Sequence, residues 1–221
     1  EKNIEVLPLL INFGEESYLD GVEITTKEMI DKINATGILP TTAQVTPNRF
    51  EETFKKYLDE GYKIVVLTLS SDMSGTYQSA CIAKDMLESD DIVVIDSRNV
   101  TSGLGLLVLK ACELRDKGLG IKEIEEEILK AIPKVKSSLN FESLENLVRG
   151  GRLSKTAGAI GSVLGLRPIL EVKDGQMAVK DKVRGSKKAL KKVISDFENG
   201  NVDTNSPIVL LEILNEEIYL G

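Results

Sequence analysis

No histidine occurs in the 221 residues, and cysteine appears only twice. Without imidazole, no Ser–His or Cys–His nucleophile pair can be assembled, and a zinc site of the usual Cys/His type lacks donors. Cys81 and Cys112 sit among apolar residues in segments that read as helices, the setting of a small buried hydrophobe. Two thiols make no disulfide framework, so a reducing cytoplasm is the expected compartment. No run of about 18 apolar residues is present, which gives no support to a membrane-spanning helix. Neither an initiator Met nor a signal-peptide pattern stands at the start. Walker A and G-x-G-x-x-G loops are both missing, and without histidine an enzyme would have to use a Ser–Lys or carboxylate scheme. Positive charge is also short, with 28 Lys and Arg against 35 Asp and Glu, a net charge of −7. A uniformly nucleic-acid-binding surface is therefore not expected, because neutralising phosphates takes clustered cations.

What is present is enough apolar residue, 42% of the chain, for a core or for two small ones. Residues 4–10 form a near-continuous apolar run broken by Pro8, which reads as a strand near a sheet edge or end. Thr25 and Glu28 have the spacing of a capping box, and Thr46 before Pro47 reads as a helix start. Phe50, Phe54 and Tyr57 follow at helical spacing as far as Gly61. Residues 64–69 and 92–95 read as strands buried on both faces, with helices expected over 75–87, 104–114 and 121–132. The acidic run around Glu125 reads as a solvated helix face. Strand–helix alternation implies a parallel sheet covered on both sides.

The pattern changes after Pro133. Residues 139–141 read as a short strand and 150–165 as a Gly-rich stretch. Residues 169–172 and 177–183 flank Asp174-Gly175, a hairpin signal. Ser186 reads as the cap of a helix to Phe197, and 208–211 as another strand. The expected fold class is thus α/β in two domains, an α/β/α parallel-sheet domain over 1–134 and an α+β domain over 135–221.

Chemistry concentrates between elements. Ser70-Ser71-Asp72-Met73-Ser74-Gly75-Thr76 lies after a buried strand and before a helix, where parallel α/β sheets bind ligands. Ser74 and Thr76 carry hydroxyls, Gly75 allows close backbone approach, and the helix start favours an anion such as carboxylate or phosphate. A helix cap is the plainer role for Ser74. Pro40-Thr41-Thr42-Ala43-Gln44 reads as a loop between helices, where Thr42 and Gln44 can add neutral hydrogen bonds. Asp96, ending the second buried strand, can orient a hydroxyl or cap the helix that follows, and the structural role is the one expected. Arg152 beside Gly150-Gly151 reads as a guanidinium presented on a tight turn. Lys180, Lys182, Arg184, Lys187, Lys188, Lys191 and Lys192 make a basic stretch, either a solvated face or a docking surface for an acidic partner.

Taken together, Leu39-Pro40-Thr41-Thr42-Ala43-Gln44, Ser70 to Ala80, Ile95-Asp96-Ser97, Gly150-Gly151-Arg152 and Arg184-Gly185-Ser186 resemble the DegV family in order and spacing, over about residues 4–195. The resemblance implies an acyl chain lodged between or beneath an α/β and an α+β domain. It implies a fatty acid carboxyl held by Thr42 and Ser74, within the block containing Gly75 and Thr76. It further implies a separate fatty acid kinase subunit as partner, with Arg152 and Arg184 as phosphate or kinase contacts. On this reading the protein is a cytoplasmic monomeric carrier. It has no catalytic residues, no metal and no cofactor, only the fatty acid as ligand, and it neither binds nucleic acid nor inserts stably in membranes. The chain departs from the family where Thr-Ser-Gln becomes Thr42-Ala43-Gln44. A first strand ending in Asp-Ser and a histidine-bearing segment near the carboxyl end have no counterpart in it, and both are expected to lie outside the given sequence. Energetically a long acyl chain suffices, since each buried methylene contributes about 0.8 kcal/mol, on the order of 10 kcal/mol in sum before ordering costs. The competing readings are a phosphotransfer enzyme acting on a small hydroxylated substrate and a plain interaction scaffold.

Overall fold

The computed structural model describes residues 2–141, 144–154, 166–200, 202–203 and 206–209. Its first half is built on two parallel strands, β4 (Ile64–Thr68) and β5 (Ile92–Asp96), paired in register from Ile64↔Ile92 to Thr68↔Asp96. Successive side chains on a strand point to opposite faces, and here both faces find apolar cover. Val65, Leu67, Val93 and Ile95 pack against α4 (Thr101–Asp116) and α5 (Ile121–Ala131) through Leu107, Ala111, Ile124 and Ile128. Ile64, Val66, Ile92 and Val94 meet α2 (Pro47–Asp59) and α3 (Thr76–Leu87) through Phe50, Phe54, Ala80 and Ala83. The result is the three-layer α/β/α arrangement that strand–helix alternation implies.

Local signals start the helices. α1 (Thr26–Thr36) opens with the Thr25–Glu28 capping box and closes at Gly37 in the left-handed conformation. The Thr46 hydroxyl accepts from the Arg49 amide ahead of α2, whose first residue is Pro47. α5 ends in a 3-10 turn, Ile132–Lys134, after which the architecture changes.

An antiparallel sheet of order β2-β1-β3 adjoins this layer, made of β1 (Leu10–Phe13), β2 (Glu16–Leu19) and β3 (Thr41–Ala43). It corrects two expectations. Residues 4–9 are not in regular pairing. Pro8 has no amide hydrogen to give a ladder, and pairing starts at Leu10, which faces both Leu19 and Ala43. Leu7 and Leu9 still bury themselves against the α2–α3 cluster. Thr41-Thr42-Ala43 is a strand rather than a loop, with Thr42 opposite Ile11.

The second half holds an antiparallel sheet of β6 (Leu139–Asn140), β7 (Leu166–Lys173) and β8 (Gln176–Arg184), with α7 (Ser186–Asn199) against it. The β7–β8 turn is Asp174-Gly175, both at positive φ (50° and 82°), as the mirror-image turns of tight hairpins require. A short helix, α6 (Glu145–Arg149), contributes Leu147 and Val148 to a core with Leu144, Leu153 and Leu170. Gly185, not Ser186, is the residue before α7; the Ser186 hydroxyl instead accepts from Arg167 Nε at 3.2 Å. In the expected strand over 208–211, Ile208 and Val209 adopt no regular structure, and Leu210 and Leu211 lie outside the described residues, as do 155–165 of the Gly-rich stretch. Cys112 is buried, while Cys81 is only half-buried. No helix among the described residues is long and apolar enough to cross a membrane.

Candidate functional site

The buried polar side chains gather in one place. Thr68, Ser70, Thr76, Ser79, Ser97 and Asn99 are all at or beyond the carboxyl ends of β4 and β5 or in the first turn of α3. Asp96 ties the two post-strand loops together. Its carboxylate accepts from the Ser71 amide (3.2 Å), the Ser71 hydroxyl (2.5 Å) and the Arg98 amide (2.9 Å). The Ser70 amide donates to the Asn99 carbonyl at 2.9 Å. These bonds hold both loops in fixed positions, a structural role for Asp96.

A cavity of about 480 Å³ opens at this end of the sheet, lined by Leu9, Thr42, Ala43, Gln44, Leu69, Met73, Ser74, Gly75, Val100, Thr101, Leu147, Arg152 and Met177. Its size falls within the range of small-molecule pockets, about 300–1,000 Å³. Thr42 comes from β3, Ser74 and Gly75 from the start of α3, Thr101 from the start of α4, and Arg152 and Met177 from the second half. Thr42 and Ser74, distant in sequence, therefore line the same cavity. Ser74 does not cap α3: Gly75 is the N-cap, and no side chain caps that helix. The Ser74 hydroxyl accepts from the Thr76 amide at 3.3 Å and lies 3.0 Å from the Thr76 hydroxyl. Thr76 is buried beneath Ser74 rather than on the cavity wall.

Gly75 must be small. A Cβ there would overlap Gln44 Oε1 and lie 2.8 Å from Gln44 Cδ. The Gln44 carboxamide is fixed by donating from Nε2 to the buried Ser79 hydroxyl at 2.9 Å. α4 also starts at the cavity without a side-chain cap, so two helix N-termini, each with a positive dipole end, meet there. Thr101 has φ 50°, an uncommon backbone for a β-branched residue. It was not apparent as a site residue, although Ser97 to Gly103 repeats the strand–hydroxyl–glycine–helix pattern of Ser70 to Gly75.

Arg152 brings the second half to the site. Its Nε donates to the Met73 carbonyl at 2.9 Å, and its Nη1 donates to the Gly150 carbonyl. A second cavity of about 470 Å³ adjoins the first and shares Met73, Arg152 and Met177 with it; Asp72, Ser154 and Gln176 add polar groups. Arg184 is not brought to either cavity. It is exposed at the opposite end of β8, facing Leu166, roughly 20 Å along the strand from Met177. In the basic stretch, Lys192 pairs with Asp181 (3.4 Å) and Asp196 (2.6 Å), and Lys180 with Asp196 (3.0 Å). Among the described residues, no group of three or more His, Cys, Asp and Glu side chains is arranged to hold a metal ion.

Fold and cavity thus define an α/β/α layer facing an antiparallel β unit across a hollow lined by hydroxyl, carboxamide, guanidinium and apolar side chains. This architecture has known counterparts. The family model described as "uncharacterised protein, DegV family" matches residues 1–219, and the chain belongs to that family. A DegV domain-containing protein of Clostridium acetobutylicum is 57% identical over 216 residues, 98% of this chain and 77% of that one. The solved structure of a DegV family protein from Thermus thermophilus, described by its fatty acid binding, superimposes with a TM-score of 0.81 at 30% identity. It covers 89% of this chain and 70% of that one. A stearic acid-binding protein from Eubacterium ventriosum gives a TM-score of 0.79 at 26% identity, covering 90% and 72% respectively.

Proposed function

We propose that the protein binds a long-chain fatty acid in the cavity of about 480 Å³ and presents its carboxyl group to a separate kinase, which forms the acyl phosphate. The observation that carries the binding reading is the convergence of Thr42, Ser74 and Arg152 on one cavity whose remaining walls include Leu9, Leu69, Met73, Val100, Leu147 and Met177. Hydroxyl donors, a guanidinium and two helix N-termini suit a carboxylate. The aliphatic walls suit its tail, whose transfer from water supplies most of the affinity. Structural relatives that bind fatty acids support the same ligand class. On this reading the protein is a carrier, not an enzyme, and works as a monomer in the cytoplasm.

Thr42 and Ser74 grip the head, Gly75 leaves room for the Gln44 carboxamide beside it, and Thr76 fixes the Ser74 hydroxyl. Arg152 stands between the head and the second cavity, which gives the carboxyl a polar outlet toward the kinase. Arg184, away from both cavities, is assigned to the kinase contact. The boundary near residue 134 separates the domain bearing the head-group loops from the one closing over the acyl chain.

Displacement of a fluorescent fatty acid probe tests the head-group assignment. A hydrogen bond to a charged acceptor contributes about 1.5 kcal/mol or more, so Thr42→Ala with Ser74→Ala should weaken binding roughly 100-fold. The thermal midpoint of the ligand-free protein should change little. Equal retention by the double variant and the parent would sink the assignment. For the kinase step, acyl phosphate should form only when ATP and a kinase subunit are both added. Product formed by this protein with ATP alone would make it an enzyme.

A further inference from the structure

The β7–β8 turn touches the first half more closely than a hairpin needs to. The Ser70 hydroxyl, wholly buried, donates to the Gly175 carbonyl at 2.6 Å. Arg98 Nη2 donates to the neighbouring Asp174 carbonyl and lies 3.0 Å from Asp72 Oδ2. A Cβ on Gly175 would come within 2.8 Å of both Asp72 Oδ2 and Ser70 Oγ, and 3.0 Å of Arg98 Cζ. Glycine here therefore serves docking as well as the turn. The contact is polar and small, and the Arg98 side chain remains 43% exposed, so water can compete for its bonds. Gly175 is followed on β8 by Gln176 and Met177, and Met177 lines both cavities. Whatever holds the turn holds that wall.

We propose that the Asp174–Gly175 turn is a clasp whose release admits and discharges the ligand, with Arg98 as its positioning residue. This rests on the fatty acid reading above. A clasp differs kinetically from a binding contact. Opening it speeds ligand passage in both directions, whereas losing a contact speeds departure alone.

Stopped-flow measurement with a fluorescent long-chain fatty acid separates the two. Arg98→Ala should raise the association and dissociation rates together, each roughly tenfold, while Kd moves much less. Hydrogen exchange at Gly175 and Gln176 should quicken in the same variant, with exchange in β4 and β5 unchanged. Arg98→Lys, which keeps a donor and a charge, should recover part of the slow exchange. A faster dissociation rate with unchanged association makes Arg98 a stabilising contact and overturns the clasp. Unchanged rates in both directions overturn it as well. A parent protein that takes up no fatty acid overturns the ligand reading, and the clasp with it.

Discussion

Gly75→Ala perturbs the site by a single methyl group placed where the Gln44 carboxamide now sits. Its backbone, at φ −72° and ψ 1°, accepts alanine without strain. Lost chain flexibility in the unfolded state would by itself favour the variant by about 0.4–1 kcal/mol. Opposing this, the new Cβ overlaps Gln44 Oε1, so the carboxamide must swing away and give up its bond to the Ser79 hydroxyl. Ser79 is only 1% exposed, and a buried hydroxyl left unpaired costs about 1–3 kcal/mol. Alanine is also a poorer N-cap than glycine, by up to about 1 kcal/mol. The net expectation is a loss of about 1–3 kcal/mol in urea unfolding, with weaker fatty acid uptake because the displaced side chain enters the cavity. Gln44→Ala removes both the bond and the obstacle. In that background the steric and hydrogen-bond costs of Gly75→Ala vanish, and the double-mutant cycle should show a coupling of about 1–3 kcal/mol. Additive effects, or a Gly75→Ala protein as stable as its parent, would refute the claim that Gln44 fixes the glycine.

Thr101→Asn should raise stability by roughly 1 kcal/mol in thermal unfolding, because asparagine tolerates the left-handed backbone that a β-branched residue resists; a destabilised variant would argue that no strain is stored there. Arg152→Ala should weaken ligand retention in a probe-displacement assay, whereas Arg184→Ala should leave it unchanged, since only Arg152 reaches the cavity. The Asp196 carboxyl is held below its ordinary range, first by the hydrogen bond from Lys192 and then by that from Lys180. Its folded pKa being the lower one, its contribution to stability is fully present above the ordinary aspartate value. That contribution is lost as pH falls through the depressed value. Thermal melts between neutral and acidic pH should therefore show an acid-side decline that Asp196→Asn flattens.

Much of the fold was legible because its signals are local. The Thr25–Glu28 box, Thr46 before Pro47 and the two runs of Ile, Val and Leu each decide their own element within a few residues. The Asp174-Gly175 turn needs only two residues at positive φ. The β2-β1-β3 sheet was not legible, because Thr41–Ala43 becomes a strand only by meeting Leu10–Asn12, some 30 residues earlier. Its polar threonines and flanking Pro40 look like a loop until that partner is in place. At the site, Thr42 and Ser74 could be picked out by residue type and by resemblance, but their shared cavity is a fact of tertiary packing. Arg152 and Arg184 stand beside glycines in similar ways, and only the direction of β8 separates one from the other. Thr101 shares its strand-to-helix setting with Ser74, but its positive φ leaves no mark on the sequence.

Gentle purification, native mass spectrometry and lipid extraction from the denatured protein test the central claim most directly. One fatty acid per chain is expected for the parent, and a largely empty chain for Thr42→Ala with Ser74→Ala, which should unfold at the temperature of the delipidated parent. A parent that carries no lipid and cannot be loaded with added fatty acid would contradict the carrier reading. Equal occupancy in parent and variant would remove Thr42 and Ser74 from the site.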